Sequence, residues 1–378
     1  MLGHKRVPSR EGGVEVVVGE LSSRMARRGH QVTCYNRGYS QGTVQGTDLK
    51  DPDRDGKSFH SVRLKNVPTI NIKGAAAVTA AFFGTIAATV GNYDIIHIHA
   101  EGSALFCRIP KLFGKRVIVT IHGLDHQRAK WGRLASSVIL LGEKAAAAYA
   151  DEIIVLSKSA KQYFLDRYGR KTVFIPNGVN EPVMRPAKKI TELWGLEKDN
   201  YILFLGRLVP EKGLRCLIEA WKQTMTDKKL IIAGSASDTE RFEKELRQLS
   251  EKDNRVLFTG FVEGEILEEL YSNAYLFTLP SDLEGMPLTI LEAMSYGNCC
   301  LVSDIPECAE IVGDHAMTFS RGNVEELRKC LQMLCDRPEI RDAYKTGASD
   351  YILGRHRWET TVERTLDLYW GQGTESDQ

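Results

Sequence analysis

The sequence has few features of a secreted, membrane-spanning or metal-binding protein. Its eight cysteines form no C-x-x-C pair and no Cys/His cluster with zinc spacing. The first residues lack the apolar core of a secretory signal, so we expect reduced thiols and a cytoplasmic protein. The longest uncharged stretch lies between Lys73 and Asp94 and is rich in Ala, Thr and Gly. A buried helix explains this stretch better than a membrane span does.

Two common nucleotide-binding signatures are also missing. There is no complete G-x-G-x-x-G and no G-x-x-x-x-G-K-[ST], which argues against a nicotinamide dehydrogenase and a P-loop enzyme. No charge is in excess either, because 50 Lys+Arg face 49 Asp+Glu in 378 residues. We therefore expect no nucleic-acid partner. The contents of hydrophobic residues (43%) and charged residues (26%) exclude a mainly disordered chain.

The balanced total hides a difference between the two halves of the chain. Residues 1–180 carry a net charge of +12 and residues 181–378 carry −11. Such a split indicates two domains with different partners. The basic half could attract phosphates or an anionic membrane surface, or the two domains could simply attract each other.

Short apolar runs alternate with helical segments, which is typical of parallel α/β sheets. The predicted strands of the first half are 31–35, 94–99, 116–122 and 151–157. Those of the second half are 201–206, 229–234, 256–260, 274–280 and 299–303. A turn-rich run near residues 176–182 separates two doubly wound, Rossmann-like domains, placed at 1–180 and 181–355. Only Met1 and Leu2 precede Gly3, so the first strand is short; one interpretation is that natural residues are missing ahead of it.

The clearest site signal follows the predicted strand 274–280. Glu284 lies in the loop after this strand and Glu292 lies one turn into the next helix, so the two carboxylates can bracket a ligand without meeting. Between them lies the segment that opens the helix: Gly285, Met286, Pro287, Leu288 and Thr289. Backbone N–H groups at such a helix start bind phosphate by hydrogen bonds and by the helix dipole. The alternative is a solvated carboxylate beside an ordinary helix cap.

Two further loops carry residue types that bind phosphate. Arg207 and Lys212 lie in a loop at the carboxyl end of a predicted strand, where open α/β sheets bind ligands. The guanidinium offers a fork for phosphate oxygens and the ammonium a point charge, although two surface cations are common in any loop. Gly12 and Gly13 open a helix and allow the backbone to approach a ligand closely.

Histidines and charged residues supply the remaining candidates. His122 follows a predicted strand, where it can hydrogen-bond a substrate or move a proton. Arg128 and Lys130 could contact an acceptor phosphate. We interpret the Asp-Pro-Asp run at 51–53 as solvated. We expect the His97/His99 pair to face opposite sides of its strand, and therefore not to chelate an ion.

These residues together resemble the retaining family 4 glycosyltransferases of the GT-B fold. The segment from Glu284 to Glu292 looks like the E-x7-E motif of that family, and residues 206–213 are similar to its G-R-x-x-x-E-K-G segment. Gly12-Gly13, His122-Gly123 and residues 175–179 also match family positions. The resemblance covers nearly the whole chain, with the motifs in the expected order.

The resemblance implies two Rossmann-like domains facing an interdomain cleft. The domain at 1–180 would bind the acceptor and the domain at 181–355 the nucleotide-sugar donor, with a helix at about 356–370 crossing back to the first domain. The implied donor-diphosphate ligands are Arg207, Lys212, Gly12, Gly13, Leu288 and Thr289. Glu292 would hold the ribose, and the donor sugar would meet Glu284, Gly285, Met286 and Pro287. The base would contact Phe261 and Val262, the acceptor Arg128 and Lys130, and the reaction centre His122.

The family also implies a reaction without a metal ion or other cofactor. Cationic side chains and a helix N-terminus can neutralise the leaving diphosphate instead. The donor is expected to be linked to UDP, GDP or dTDP, and the acceptor to be a glycan or a lipid-diphosphate-linked glycan. Met286 stands where the family often has Phe, so the donor sugar stays open. The segments 3–13 and 122–131 look like a bacterial surface-polysaccharide branch that includes rhamnosyltransferases, which would suit contact with the inner face of an anionic membrane.

Three alternatives remain at this stage: a nucleotide-sugar epimerase, a phosphorylase and a non-catalytic sugar-nucleotide-binding subunit. A phosphorylase needs a pyridoxal-phosphate lysine, for which the sequence offers no identifiable setting. The presence of both motif carboxylates together with Arg207 and Lys212 argues against a non-catalytic subunit.

Overall fold

A computed structural model describes residues 1–38, 58–70, 72, 75–128, 132–236 and 239–372. The chain forms two compact units. Unit 1 consists of Met1–Asn177 and Trp358–Gln378, and unit 2 of Gly178–Arg357. These limits differ by two or three residues from the expected ones. The Asp-Pro-Asp run and Lys130 lie outside the described residues.

Unit 1 is built from strands and helices in alternation. Its strands are β1 (Thr33–Arg37), β2 (Ser58–Phe59), β3 (Val62–Val67), β4 (Ile95–His99), β5 (Arg116–Ile121), β6 (Glu152–Val155) and β7 (Val173–Phe174). Its helices are α1 (Gly13–Arg27), α2 (Ala75–Val90), α3 (Arg108–Leu112), α4 (Arg133–Tyr149) and α5 (Lys158–Tyr168), with 3-10 turns at Gly102–Phe106 and Asp125–Gln127. The sequence pattern missed β2, β3 and β7, which are short or carry charged residues.

The first two residues join two parts of the unit 1 sheet. The strand orders are β2-β3-β1 and β4-β5-β6-β7. Leu2 bridges to Ile98 of β4, with its N–H donating to the His97 carbonyl at 3.1 Å. On the other side, the N–H of Tyr35 in β1 donates to the Met1 carbonyl at 3.0 Å. The short first strand therefore occupies the position between β1 and β4.

Helix α2 is less buried than its composition suggests. Small residues such as Ala80, Ala81 and Ala88 pack into the core. Phe82 and Phe83 on other faces remain 38% and 39% exposed. The expectation of a helix is confirmed, but only one of its faces is buried. Among the described helices, none is both long and apolar enough to cross a membrane.

Unit 2 has a doubly wound sheet. Its strands are β8 (Tyr201–Leu205), β9 (Lys229–Ala233), β10 (Val256–Gly260), β11 (Leu276–Leu279), β12 (Cys300–Ser303) and β13 (Met317–Phe319). Its helices are α6 (Lys189–Trp194), α7 (Leu214–Lys222), α8 (Glu240–Ser250), α9 (Gly264–Asn273), α10 (Leu288–Ser295), α11 (Pro306–Val312), α12 (Val324–Asp336), α13 (Pro338–Lys345) and α14 (Ala348–Arg355), with a 3-10 turn at Pro210–Lys212.

The strand order of unit 2 is β10-β9-β8-β11-β12-β13, with every pair parallel. The chain thus runs outward from β8 to β10, returns to β11 beside β8, and runs outward again. Such a reversal opens a crevice at the carboxyl ends of the two central strands. Strands β8 and β11 are almost fully buried, which explains why Thr278 is the one polar residue in their sequences.

The last helix, α15 (Trp358–Tyr369), packs in unit 1. Arg24 of α1 forms an ion pair with Glu359 at 2.6 Å. Arg116 of β5 donates to the Leu368 carbonyl at 2.8 Å, and the Tyr369 hydroxyl lies 2.6 Å from Nδ1 of His97. These contacts attach the end of the chain to the domain in which it began.

Candidate active site

The loops after β8 and β11 bring together the clearest sequence candidates of unit 2. Arg207 and Lys212 follow β8, and Glu284 follows β11. The two strands are neighbours at the point where the strand order reverses. Open α/β sheets bind ligands at this position.

Two glycines allow the strand ends of unit 2 to approach closely. Gly213 has φ +68°, and a Cβ there would run into the carbonyl oxygen of Pro280. Gly234 has φ +139°, and a Cβ there would meet the carbonyl oxygen of Gly206. Both conformations are ones that L side chains rarely adopt. The loops after β8, β9 and β11 are therefore held backbone against backbone.

Lys212 and Glu284 form an ion pair in this crevice. Nζ of Lys212 lies 2.5 Å from Oε1 of Glu284, and the two side chains are only 11% and 9% exposed. Oγ of Ser281 donates to the same oxygen at 2.6 Å. The carboxylate is fixed through Oε1, while Oε2 accepts no hydrogen bond from the described part of the chain.

Glu292 occupies the position that the spacing predicts, one turn into α10. Its Oε2 accepts a hydrogen bond from the Tyr271 hydroxyl at 3.0 Å. The ring of Tyr271 stacks on Tyr296, with centroids 5.3 Å apart. Tyr271 of α9 thus orients the Glu292 carboxylate of α10.

The start of α10 has unsatisfied polar groups. The helix begins at Leu288 after Pro287, and no side chain of the described residues caps it. The N–H groups of Leu288 and Thr289 lie in the first turn, which has no intrahelical acceptor. Oγ1 of Thr289 is buried and also has no hydrogen-bond partner among those residues. A phosphate is the kind of ligand that such a helix start binds.

The other predicted donor contacts lie around this crevice. Arg207 is half-buried in the loop after β8, and Gly285, Met286 and Pro287 are buried ahead of α10. Phe261 follows β10 and is 44% exposed, next to the half-buried Val262. The Gly234 N–H donates to the Gly260 carbonyl at 2.8 Å, so the loop carrying Phe261 is tied to the end of β9.

In unit 1, Gly12 and Gly13 lie at the start of α1. Gly12 is extended, with φ −151°, and no described side chain caps the helix there. The preceding segment folds back onto α1, because the Lys5 N–H donates to Oε1 of Glu15 at 2.8 Å. A Cβ on Gly12 would also run into Oε2 of Glu15, so this carboxylate occupies the space beside the glycine pair.

The expectation for His97 and His99 was wrong. Side chains two residues apart in a strand share a face, and the two rings stack with centroids 4.1 Å apart. Nδ1 of His99 lies 3.0 Å from Nε2 of His122, and Nε2 of His97 lies 2.7 Å from the Thr120 hydroxyl. Histidines of β4 and of the loop after β5 form one row.

His122 lies at the end of that row, directly after β5. Burial lowers its pKa to about 4, with Asp125 opposing the shift and Arg128 adding to it. The imidazole is therefore neutral at pH 7, and it can donate or accept a hydrogen bond without carrying charge. Nε of Arg128 pairs with Oδ1 of Asp125 at 2.6 Å, so this predicted acceptor contact is held beside His122 by a salt bridge.

The structure thus brings together Lys212 with Glu284 in unit 2, and His122 with the Arg128–Asp125 pair in unit 1. It adds Ser281 and Tyr271, which the sequence interpretation missed. Ser281 stands three residues before Glu284, a spacing that could have indicated the contact. No local signal links Tyr271 to Glu292, because they lie on different helices.

Comparisons with known proteins decide the family. The model for "Glycosyl transferases group 1" matches residues 188–350, and the model for "Glycosyltransferase Family 4" matches residues 11–181. Together they span most of both units. The chain is a group 1/family 4 glycosyltransferase of the GT-B fold.

Relatives of this glycosyltransferase come from distant organisms. An uncharacterized glycosyltransferase of Methanocaldococcus jannaschii is 25% identical over 95% of this chain and 94% of its own length. The O-antigen chain mannosyltransferase B of Escherichia coli is 27% identical over 48% of each chain. The crystal structure of Anabaena HepE in complex with UDP and glucose superposes with a TM-score of 0.79, at 18% identity and 98% coverage of both chains.

Proposed function

We propose that this glycosyltransferase transfers a sugar from a nucleotide-sugar donor to a hydroxyl of a glycan or lipid-linked glycan in bacterial polysaccharide biosynthesis, with retention at the anomeric carbon. The Lys212–Glu284 pair at the reversal of the unit 2 sheet carries this proposal. It puts a cation and a carboxylate where α/β sheets bind nucleotides.

The donor diphosphate is assigned to the cations and helix starts. Arg207 and Lys212 would neutralise the phosphates, together with the N–H groups of Leu288 and Thr289. Gly12 and Gly13 would lie beside the phosphates, as in the family that the chain resembles. Preorganised cations and dipoles of this kind stabilise the charge that develops on a leaving diphosphate, so no divalent ion is needed there.

The donor sugar and the ribose are assigned to the two motif carboxylates. Glu284 would accept hydrogen bonds from sugar hydroxyls through Oε2, since Lys212 and Ser281 occupy Oε1. Glu292, oriented by Tyr271, would accept the ribose hydroxyls. Gly285, Met286 and Pro287 would contact the sugar, and Phe261 and Val262 the base.

His122 is assigned to the reaction centre as a neutral hydrogen-bonding group. Its lowered pKa suits orientation of a hydroxyl better than transfer of a proton at pH 7. The acceptor proton would then pass to the leaving phosphate on the same face of the sugar, which accounts for retention. Arg128 and Lys130 would contact a phosphate of the acceptor.

Similar proteins support the substrate classes. HepE was crystallised with UDP and glucose, and one relative is named for the O-antigen chain. We accordingly expect a UDP-, GDP- or dTDP-linked sugar as the donor and a bacterial surface glycan as the product. The rhamnosyltransferase-like branch remains part of this proposal, with Met286 as the residue that bears on the choice of sugar.

We also propose peripheral contact of unit 1 with an anionic membrane at its inner face. Unit 1 carries basic clusters at Lys5-Arg6 and at residues 24–28, and part of them is engaged in ion pairs, since Arg24 pairs with Glu359 and Lys5 with Glu11. Exposed apolar residues offer a second means of attachment: Phe82, Phe83, Ile86, Val90, Leu112 and Phe113 of α2 and the α3 region. Such residues next to cations are typical of interfacial anchors.

The first test is thermal unfolding of the full chain against UDP, GDP, dTDP, ADP and their sugars. A ligand that binds only the folded state stabilises it by about 2.7 kcal/mol at 100 times its dissociation constant. We expect one nucleotide to raise the melting temperature selectively. No shift with any nucleotide would overturn the donor assignment.

The second test separates transfer from binding and from epimerisation. With the donor identified, Glu284→Gln should lower sugar transfer at least about 100-fold. Equal turnover in parent and variant would overturn the role of Glu284. Nucleotide binding without any transfer by the parent would favour a binding subunit, and conversion of the donor sugar without an acceptor would favour an epimerase.

A further inference from the structure

Three side chains of unit 1 form a cluster that the proposed transfer does not use: Glu101, His126 and Glu143. They come from the residue before the 3-10 turn Gly102–Phe106, from the 3-10 turn Asp125–Gln127 and from α4. The side chain of Glu143 is 0% exposed, and that of His126 is 13% exposed. One ligand atom from each of the three lies within 4.8 Å of the others.

Each carboxylate in the cluster is anchored through one oxygen. Oε2 of Glu101 accepts the Asp125 N–H at 2.9 Å, and Oε1 of Glu143 accepts two tyrosine hydroxyls. The remaining atoms, Glu101 Oε1, Glu143 Oε2 and His126 Nδ1, are buried and make no hydrogen bond of good geometry to a described residue; Nδ1 of His126 and Oε2 of Glu143 face each other within the cluster. Two buried carboxylates side by side are unfavourable unless a cation or a proton lies between them.

We propose that Glu101, His126 and Glu143 bind one first-row divalent metal ion, zinc in preference to manganese. Nδ1 of His126 lies 3.2 Å from Oε2 of Glu143. Two ligand atoms about 2.0–2.1 Å from a tetrahedral zinc ion are separated by about 3.3 Å. One imidazole and two carboxylates suit zinc or manganese, and zinc binds more tightly in the Irving–Williams order.

The surroundings of the cluster match those of ligated side chains. Tyr163 and Tyr168 donate to Oε1 of Glu143 at 2.9 Å and 2.5 Å, and the ring of Tyr163 also stacks on His126. Hydrogen bonds of this kind orient metal-binding carboxylates. A Cβ on Gly142 would run into the carbonyl oxygen of Glu101, so α4 approaches that residue at van der Waals contact.

The ion would serve a structural purpose in unit 1. It would link three segments of unit 1: the turn that carries Asp125, helix α4 and the segment after β4. The turn lies next to His122 in the sequence. The ligands come from three separate elements, so no sequence spacing reveals the site. The proposal does not depend on the proposed transfer reaction, and it concerns a place other than the donor diphosphate.

The test is metal binding by the full chain after treatment with a chelator and dialysis. Titration calorimetry with Zn²⁺ alone should show one equivalent per chain, and Co²⁺ should give the absorption of nitrogen and oxygen ligands without thiolate bands. His126→Ala and Glu143→Gln should each weaken binding at least about 100-fold. Tyr168→Phe should weaken it by about 10-fold, because it removes only a supporting hydrogen bond.

Two variants serve as controls. His315→Ala removes a histidine of unit 2 that stacks on Tyr351, and Cys216→Ser removes a half-buried thiol; both should bind one equivalent as the parent does. Circular dichroism identifies variants that remain folded, and the partly exposed His126 is the substitution that folding should tolerate best. Absence of saturable metal binding in the parent would overturn the proposal. This is the result expected if Glu101 and Glu143 share a proton instead of binding a metal ion. Undiminished binding in both His126→Ala and Glu101→Gln would also overturn the proposal.

Discussion

The hydroxyl of Tyr271 in α9 donates a 3.0 Å hydrogen bond to Oε2 of Glu292 in α10. The second motif carboxylate is therefore oriented by a side chain outside the motif. A carboxylate that must accept two ribose hydroxyls benefits from being held in one rotamer before the ligand arrives.

Tyr271→Phe removes this hydrogen bond and keeps the stacked ring. We expect the dissociation constant for the preferred nucleotide to rise by about 3- to 10-fold. A hydrogen bond to a charged group contributes about 1.5–3 kcal/mol, and only part of this reaches the ligand, because Tyr271 acts by orienting the carboxylate. Calorimetry measures the change. Tyr351→Phe, which alters a tyrosine stacked on His315, is the matched control and should bind like the parent. Equal affinities in both variants would contradict the role given to Tyr271.

The Lys212–Glu284 pair lends itself to a double-mutant cycle. Lys212→Met leaves a nearly buried carboxylate without its cation and should lower the free energy of unfolding by about 3 kcal/mol. Adding Glu284→Gln should restore part of that loss, because no unpaired charge remains. Urea denaturation of the two single variants and the double variant gives the coupling energy, expected at about 0.5–3 kcal/mol. Strictly additive effects would show that the two side chains do not interact in solution.

Gly213 and Gly260 offer a matched pair of glycines with positive φ. Gly213 has φ +68° and faces the Pro280 carbonyl, whereas Gly260 has φ +75° and faces open space. Gly260→Ala should cost about 1–2 kcal/mol of stability from the left-handed conformation alone. Gly213→Ala adds a collision with backbone and should cost clearly more, at least about 3 kcal/mol. Similar losses for the two variants would mean that the loops after β8 and β11 are not in close contact.

Buried histidines make unit 1 sensitive to acid. Burial lowers the pKa of His4 to about 3 and that of His122 to about 4, against about 6.5 in the unfolded chain. Between pH 6.5 and 4 the unfolded chain binds more protons, so stability falls as the pH falls through this window and is fully present above it. Denaturation at pH 7 and pH 5 should show this loss, and His122→Asn should reduce it. An unchanged pH dependence in the variant would contradict the burial of a neutral imidazole.

The exposed apolar residues of α2 and the α3 region predict membrane binding by unit 1. Co-sedimentation should show more protein on anionic than on neutral liposomes. The double substitution Phe83→Ser and Phe113→Ser should lower the bound fraction several-fold, since each ring loses its apolar contact with the interface. Leu193→Ser, at a residue of unit 2 that is 56% exposed, is the control. No preference for anionic lipid, or equal binding by the double variant, would exclude this surface.

The alternation of strands and helices could be predicted because most residues of the central strands are apolar. The predicted strands 256–260 and 299–303 agree with β10 and β12 to within one residue. Strand β3 escaped prediction because its exposed positions carry Arg63 and Lys65, as suits a strand near a sheet edge. The His97/His99 prediction was wrong because alternate residues of a strand lie on the same face.

The sequence by itself determined the two Rossmann-like patterns and the positions of Glu284, Glu292, Arg207 and Lys212 at strand and helix ends. These features depend on local periodicity and on short spacings, which a linear pattern contains. Only the tertiary structure decided that Lys212 pairs with Glu284 across 72 residues, that Tyr271 holds Glu292, and that Glu101, His126 and Glu143 converge. Such contacts depend on which strands become neighbours and on how closely glycines let loops approach. Both depend on the packing of the whole domain, which no local pattern contains.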